Sequence, residues 1–75
     1  MRKYESKTKV KLNARKLIHL RAKRQWTQKT AAMKAKVSLP TYGSAERGHE
    51  IQAAKAGKIA ALYRMELEEL EQKSA

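Results

Sequence analysis

The sequence lacks cysteine, so disulfide bonds, thiolate nucleophiles and cysteine-ligated zinc sites are excluded. It also lacks phenylalanine and has a single tryptophan, so a core must be filled mainly by Leu, Ile and Ala. No apolar run approaches the roughly 20 residues of a membrane-spanning helix, and no apolar segment follows the basic N-terminus as it would in a secretion signal. We therefore expect a soluble cytoplasmic protein of one small domain, with no membrane association.

Residues suited to catalysis or metal binding are equally scarce. His19 and His49 are the only histidines, and neither Cys nor Asp occurs anywhere in the sequence to accompany them. We predict a binding module that uses no metal and no cofactor and has no enzymatic activity.

Negative charge is nearly absent from the first part of the chain. No carboxylate lies between Glu5 and Glu46, and residues 1–47 hold 14 basic and 2 acidic residues, a net charge of +12. Residues 48–75 hold 4 basic and 5 acidic residues, a net charge of −1. Such asymmetry attracts a polyanion over long range, and contact releases the counterions condensed on it. It favours nucleic acid as the partner, and a generic basic surface, as in ribosome-associated proteins, is the alternative.

Cap residues and hydrophobic spacing predict five helices that follow a basic N-terminal arm at residues 1–12. The arm shows weak strand-like alternation at Thr8, Val10 and Leu12. Its basic residues could wrap a duplex or be disordered; they are Arg2, Lys3, Lys7, Lys9 and Lys11. The predicted helices cover residues 14–24, 28–35, 39–46, 52–63 and 66–73. The expected fold is all-α, a compact five-helix domain at residues 13–73 with a basic arm before it.

The segment from Trp26 to Gly48 carries the most informative pattern. Thr27 and Ser38 each precede a short helical segment, and their side-chain oxygens can accept an unpaired N–H of the first turn. The two caps are eleven positions apart, which leaves room for about two helical turns and a short connection. These are the dimensions of a helix-turn-helix, a motif that sets its second helix into the DNA major groove. Pro40 fits the first turn of that second helix, and Gly48 suits a left-handed position after its end.

The stretch from Leu17 to Leu70 resembles the Cro/lambda-repressor-like helix-turn-helix domain, also called the XRE family. The order and spacing of many short pieces make the resemblance specific, although no single piece does. The family often has glycine where Gln25, Lys36 and Arg64 stand, so we expect a left-handed backbone at these three residues. The pieces are Leu17, Leu20-Arg21, Trp26-Thr27-Gln28, Ala31-Ala32, Val37-Ser38, Tyr42, Ala45-Glu46-Arg47-Gly48, Ile59-Ala60 and Leu67-Glu68-Glu69-Leu70.

The resemblance implies roles for individual residues. Gln28 matches a glutamine that contacts a DNA phosphate at a helix N-terminus, where the helix dipole favours an anion. Arg21 and Glu46 match an ion pair that joins the first helix to the end of the third. Lys29 and Arg47 are expected to contact phosphates. The full set expected to bind DNA is Gln28, Lys29, Ser38, Leu39, Pro40, Thr41, Gly43, Ser44 and Arg47.

The base-reading positions depart from the commoner pattern, because long polar side chains are missing. Leu39, Pro40 and the Thr41 methyl group can touch thymine methyl groups, and the hydroxyls of Thr41 and Ser44 can bond either type of base. Gly43 offers no side chain but lets the backbone approach closely. We expect modest direct readout that is supported by phosphate contacts and DNA shape. Packing against the second helix is the alternative role of Leu39.

These inferences favour a transcriptional regulator, a repressor of the bacterial or phage type that binds a palindromic operator as a homodimer. Two alternatives stay open: the antitoxin of a toxin–antitoxin pair, with a toxin as a second partner, and a non-specific basic nucleic-acid-binding protein. The C-terminal residues Leu67 and Leu70 could form a dimer surface, the last core helix, or both.

Overall fold

The computed structural model describes residues 8–72, and these form a small domain of five α-helices and two short strands. Residues 1–7, with Arg2, Lys3 and Lys7 of the expected arm, lie outside the described residues, as does Lys73. The helices are α1 (Ala14–Lys23), α2 (Gln28–Ala35), α3 (Leu39–Glu46), α4 (Ala53–Leu62) and α5 (Leu67–Leu70). The five-helix fold class is confirmed, and α2 and α3 have the expected bounds.

Side-chain caps begin the first three helices. The Asn13 carboxamide oxygen accepts the amide of Lys16 at 3.1 Å, and Thr27 Oγ1 accepts the amide of Thr30 at 3.1 Å. Ser38 Oγ accepts the amide of Thr41 at 3.2 Å. Each bond pairs an amide that has no partner within its own helix. The caps expected at Thr27 and Ser38 are confirmed, and Asn13 caps α1 in the same way.

Left-handed residues close the turns between helices. Gln25, Lys36 and Arg64 have φ angles of 59°, 63° and 56°, and Gly48 has a φ angle of 79°. Lys36 forms the turn that separates α2 from α3. Left-handed backbone costs a non-glycine residue about 1–3 kcal/mol, so packing of the flanking helices must hold these turns. The expected left-handed geometry is confirmed at all four positions.

The core contains large side chains from several elements packed around the small residues of α2. Leu17 of α1 and Ile59 of α4 are completely buried, and each such side chain contributes about 1.5–3 kcal/mol relative to an exposed one. Tyr42 of α3 and Tyr63, directly after α4, supply bulk in a chain without phenylalanine. Alanines on the inner face of α2 let α3 and α4 pack closely against it; they are Ala31, Ala32 and Ala35.

A two-stranded antiparallel sheet lies beside the helices. Strand β1 (Lys9–Lys11) pairs with β2 (Glu50–Gln52), and Val10 lies opposite Ile51 in the register. Both of these central side chains are buried, while the flanking residues of each strand are exposed. The strand-like alternation noted near the N-terminus is thereby confirmed. The second strand, which begins at Glu50 shortly after the end of α3, was not expected from the sequence.

The chain after β1 ties the N-terminal segment to the C-terminal end of the domain. Leu12 is completely buried and forms an isolated bridge with Glu71. The amide of Asn13 donates to the carbonyl of Leu70 at 2.7 Å, and the amide of Gln72 donates to the carbonyl of Lys11 at 2.8 Å. Residues 8–12 therefore pack onto the helices, and Lys9 has a fixed place next to them.

Candidate nucleic-acid interface

Helix α3 divides into a buried face and an exposed face. Tyr42, Ala45 and Glu46 are buried, while Leu39 and Pro40 at its start are exposed, Leu39 to 45%. Thr41 and Ser44 are half-buried at the border between the two faces, and Arg47 at the end is exposed. The spacing of three and four residues places each set on one side of the helix. Of the five residues expected to read bases, Leu39 and Pro40 are therefore exposed, Thr41 and Ser44 border the exposed face, and Gly43 is buried. The exposure of Leu39 disfavours the packing alternative.

The cap of α3 also fixes the Thr41 side chain. The Ser38 hydroxyl donates to Thr41 Oγ1 at 2.8 Å, while Ser38 Oγ accepts the Thr41 amide. Because Thr41 Oγ1 accepts in this arrangement, its own O–H is left to donate to a group outside the domain. Such a donor suits the N7, O6 or O4 acceptors that bases present in the major groove.

Glu46 joins three helices from the buried side of α3. Its carboxylate accepts from Arg21 Nε at 2.6 Å and Nη2 at 3.0 Å, and from Gln28 Nε2 at 2.9 Å. Arg21 also donates to the carbonyl of Trp26 at 2.9 Å. Burial alone would raise the pKa of Glu46, but hydrogen bonds from Arg21, Gln28 and Tyr42 outweigh it and hold the pKa below its ordinary value of 4.5. The carboxylate is therefore charged at neutral pH, and it connects α1 and α2 to the end of α3.

The half-buried side chain of Gln28 bonds to Glu46 on its inner side and is accessible on its outer side. Its side-chain amide donates one N–H to Glu46, which leaves the other N–H for a phosphate. The backbone amides of Gln28 and Lys29 lie in the first turn of α2, and they have no partner among residues 8–72. Lys29 is exposed at the same helix end. The start of α2 thus combines a cation, free amides and the positive end of a helix dipole.

Gly43 lies in the buried part of α3, beneath two polar side chains. A Cβ atom at this position would be 3.2 Å from Arg47 Nη1 and 3.7 Å from Gln28 Oε1. The Arg47 guanidinium also donates from Nη2 to Ser44 Oγ at 3.3 Å. The missing side chain thus makes room for the Arg47 guanidinium along the flank of α3, which gives Gly43 a packing role.

Aromatic residues support α3 from the inside. The Tyr42 and Tyr63 hydroxyls are 2.6 Å apart, and burial together with this bond raises the pKa of Tyr42 far above its ordinary value. The Trp26 and Tyr63 rings lie 6.1 Å apart, and the Arg24 guanidinium lies 5.1 Å from the Tyr63 ring. Lys34 covers Trp26 at 5.2 Å. This stack fixes α3 against α4 and the loop before α2.

A groove of about 330 Å³ runs between α3 and the sheet. One side is formed by Pro40, Thr41 and Ser44 of α3. The opposite side is formed by both strands and α4 through Lys9, Glu50, Ile51, Gln52 and Lys55. Of these five, the sequence indicates only Lys9 as a possible DNA contact. The alternation Glu50-Ile51-Gln52 is the signal for β2, but three residues are too few to distinguish a strand from a loop.

Residues 17–70 match the family model HTH_3, described as Helix-turn-helix. The match covers more than half of the chain, so this protein belongs to the HTH_3 helix-turn-helix family, and the expected family resemblance is confirmed. It is accordingly a DNA-binding helix-turn-helix regulator. Neither the curated proteins nor the solved structures that were searched contain a match to the chain.

Residues 8–72 contain no group of three or more His, Asp or Glu side chains that could hold a metal ion. None of the five helices has both the length and the apolar character needed to cross a bilayer.

Proposed function

We propose that this protein is a sequence-specific repressor of transcription that binds a palindromic operator as a homodimer, with one α3 in each major groove. An α-helix with its side chains is about 10–12 Å wide, which matches a major groove about 12 Å wide. The observation that carries the proposal is the exposed, capped face of α3, which Glu46 and Tyr42 hold rigidly from the buried side. A rigid helix presents its side chains to base edges with little loss of conformational entropy on binding.

The contacts in this complex fall into two classes. Leu39, Pro40, Thr41 and Ser44 contact base edges, and because their side chains are short the direct readout is modest. Phosphate contacts come from residues around α3, which set the position of the helix but carry no sequence information. These residues are Gln28, Lys29, Ser38 and Arg47.

The proposed setting is the cytoplasm of a bacterium, with the gene carried by the bacterium or by a phage. A two-fold symmetric dimer presents two copies of α3 to half-sites about one helical turn apart. The proposal assigns the chain DNA as its ligand and no chemical reaction.

Selection of binding sites from random duplex DNA tests the proposal. The expected result is a palindrome whose half-sites are about 10–10.5 base pairs apart. Thr41→Ala should change the preference at one base of each half-site, with a cost of about 1–3 kcal/mol, because it removes a positioned donor. Thr30→Ala is the matched control, since Thr30 belongs to the α2 cap and should leave base preference unchanged.

Three other outcomes would contradict the proposal or favour one of its alternatives. Equal binding to selected duplex, random duplex and RNA would favour a non-specific basic nucleic-acid-binding protein. A single half-site without symmetry would contradict the homodimer. A protein that co-purifies with this chain and is inhibited by it would favour an antitoxin.

A further inference from the structure

The groove beside α3 is continuous with the proposed DNA-binding face. Thr41 and Ser44 belong to both surfaces, because they border the exposed face of α3 and also line the groove. The opposite wall consists of Lys9 of β1, the three residues of β2, and Lys55 in the first turn of α4. A duplex that receives α3 must therefore pass over this wall as well.

The dimensions of the duplex determine which part of it meets the wall. A helix about 10–12 Å wide fills a major groove of about 12 Å, so nothing beside the helix has room to reach base edges. An element next to α3 faces the sugar–phosphate strand that borders the groove. To bind these phosphates, such an element needs positively charged side chains at fixed positions.

The wall supplies two such charges from different elements. Lys9 lies on β1, whose register with β2 fixes it opposite Gln52, and Lys55 lies near the start of α4. Glu50 is an acidic residue of the same wall, so the groove has both an attractive and a repulsive component toward an anion. The two lysines outnumber it, and the charge of residues 1–47 adds to the attraction.

We propose that the groove between α3 and the sheet binds the sugar–phosphate backbone of duplex DNA, with Lys9 and Lys55 contacting phosphates. This inference rests on the proposed DNA-binding function and deepens it. It makes the β1–β2 sheet a second DNA-contacting element, attached to the recognition helix through Ile51 and the chain that connects α3 to β2. Specificity is not changed by this wall, since phosphates carry no sequence information.

The test compares two pairs of substitutions that remove equal charge. The double variant Lys9→Ala/Lys55→Ala removes both groove lysines. The control Lys11→Ala/Lys58→Ala removes one lysine from the same strand and one from the same helix, neither of which lines the groove. The affinity for one selected duplex is measured from low to moderate salt, and circular dichroism verifies that each variant is folded.

Each phosphate contact contributes about 0.9 to the slope of log affinity against log salt concentration. We therefore expect the groove pair to lower the magnitude of the slope by about 1.8, and the control pair to lower it by less than half as much. Glu50→Gln should tighten binding, whereas Glu68→Gln on α5 should have a smaller effect. Equal slopes for the two lysine pairs, or no change in the groove pair, would overturn the inference.

A parallel measurement with Thr41→Ala separates this inference from the proposed function. If Thr41→Ala shifts base preference while the groove pair leaves the slope unchanged, the inference fails and the proposed function stands. If no site is selected but the groove pair still lowers the slope, the backbone contact stands and the sequence-specific function fails.

Discussion

At the scale of single residues, Glu46 connects α3 to α1 and α2 through hydrogen bonds. Its carboxylate accepts three hydrogen bonds from Arg21 and Gln28, and its side chain is 2% exposed against 19% for Arg21. Removing one member of a buried pair leaves the other uncompensated. The identity of this residue thus matters more to the position of α3 than to contact with DNA.

Replacing Glu46 should change how stability depends on pH. The folded pKa of Glu46 lies below its ordinary value of 4.5, so its contribution to stability is present above that pH and is lost as the pH falls through the folded value. Glu46→Gln should cost about 1–3 kcal/mol at pH 7, because Arg21 loses its counter-charge but remains partly exposed. Urea denaturation at several pH values between 7 and 3 should show a smaller acid-induced loss for the variant. Parallel curves for the two proteins would contradict this role.

Gly43→Ala should separate stability from DNA binding. Alanine gains about 1 kcal/mol of helix propensity, but its Cβ would lie 3.2 Å from Arg47 Nη1 and would displace that guanidinium. We expect stability that is unchanged or raised by less than about 1 kcal/mol, together with weaker binding to every duplex. Gly57→Ala is the matched control, because a Cβ there meets nothing within 4 Å. It should raise stability without affecting DNA affinity, and equal affinities for both variants would show that displacing the Arg47 guanidinium does not weaken binding.

At the scale of elements, the helices followed from local chemistry. Thr27 and Ser38 marked the starts of α2 and α3, and Gly48 marked a left-handed end, because each effect depends on one residue and its immediate neighbours. The strand β2 could not be predicted in this way. Its hydrogen-bond partner is β1, about forty residues earlier in the chain. The pairing of Val10 with Ile51 is therefore determined by tertiary packing and not by local sequence.

The candidate site was predictable to the same extent. The exposed face of α3 follows from helical spacing once the cap at Ser38 is placed. The packing role of Gly43 and the position of Lys55 depend on how separate elements meet, which spacing within one element does not encode. The sequence thus predicts the exposed helix of the candidate interface, whereas the wall beside it depends on how separate elements pack.

The cap of α3 should affect both stability and readout. Ser38→Ala removes the acceptor for the Thr41 amide and should cost about 1 kcal/mol. It also removes the donor that fixes Thr41 Oγ1, so base preference at the Thr41 position should broaden. Asn13→Ala removes the cap of α1 at a similar cost and should leave base preference unchanged. Thermal melts and site selection on both variants check this, and an unchanged selected site for Ser38→Ala would remove the cap from the readout.

At the scale of the whole molecule, the positive charge favours DNA binding and disfavours the compact fold. The formal net charge is +11 over 75 residues, and most of the cations lie in residues 1–47. This charge attracts a polyanion, but the same cations repel one another in the compact state. The ion pair between Arg21 and Glu46 acts against this repulsion.

Salt should therefore stabilise the fold while it weakens the complex. Raising ionic strength shortens the Debye length from about 10 Å at 0.1 M to about 3 Å at 1 M, which screens repulsion among the exposed cations. The Tm of the free protein should rise with salt over this range. Affinity for duplex DNA should fall steeply over the same range, because releasing condensed counterions into a more concentrated salt solution gains less entropy. Melting curves and binding isotherms in the same buffers provide both measurements. A Tm that falls with salt would mean that attractive ion pairs dominate the folded state, and the field of the free molecule would then be weaker than its formal charge implies.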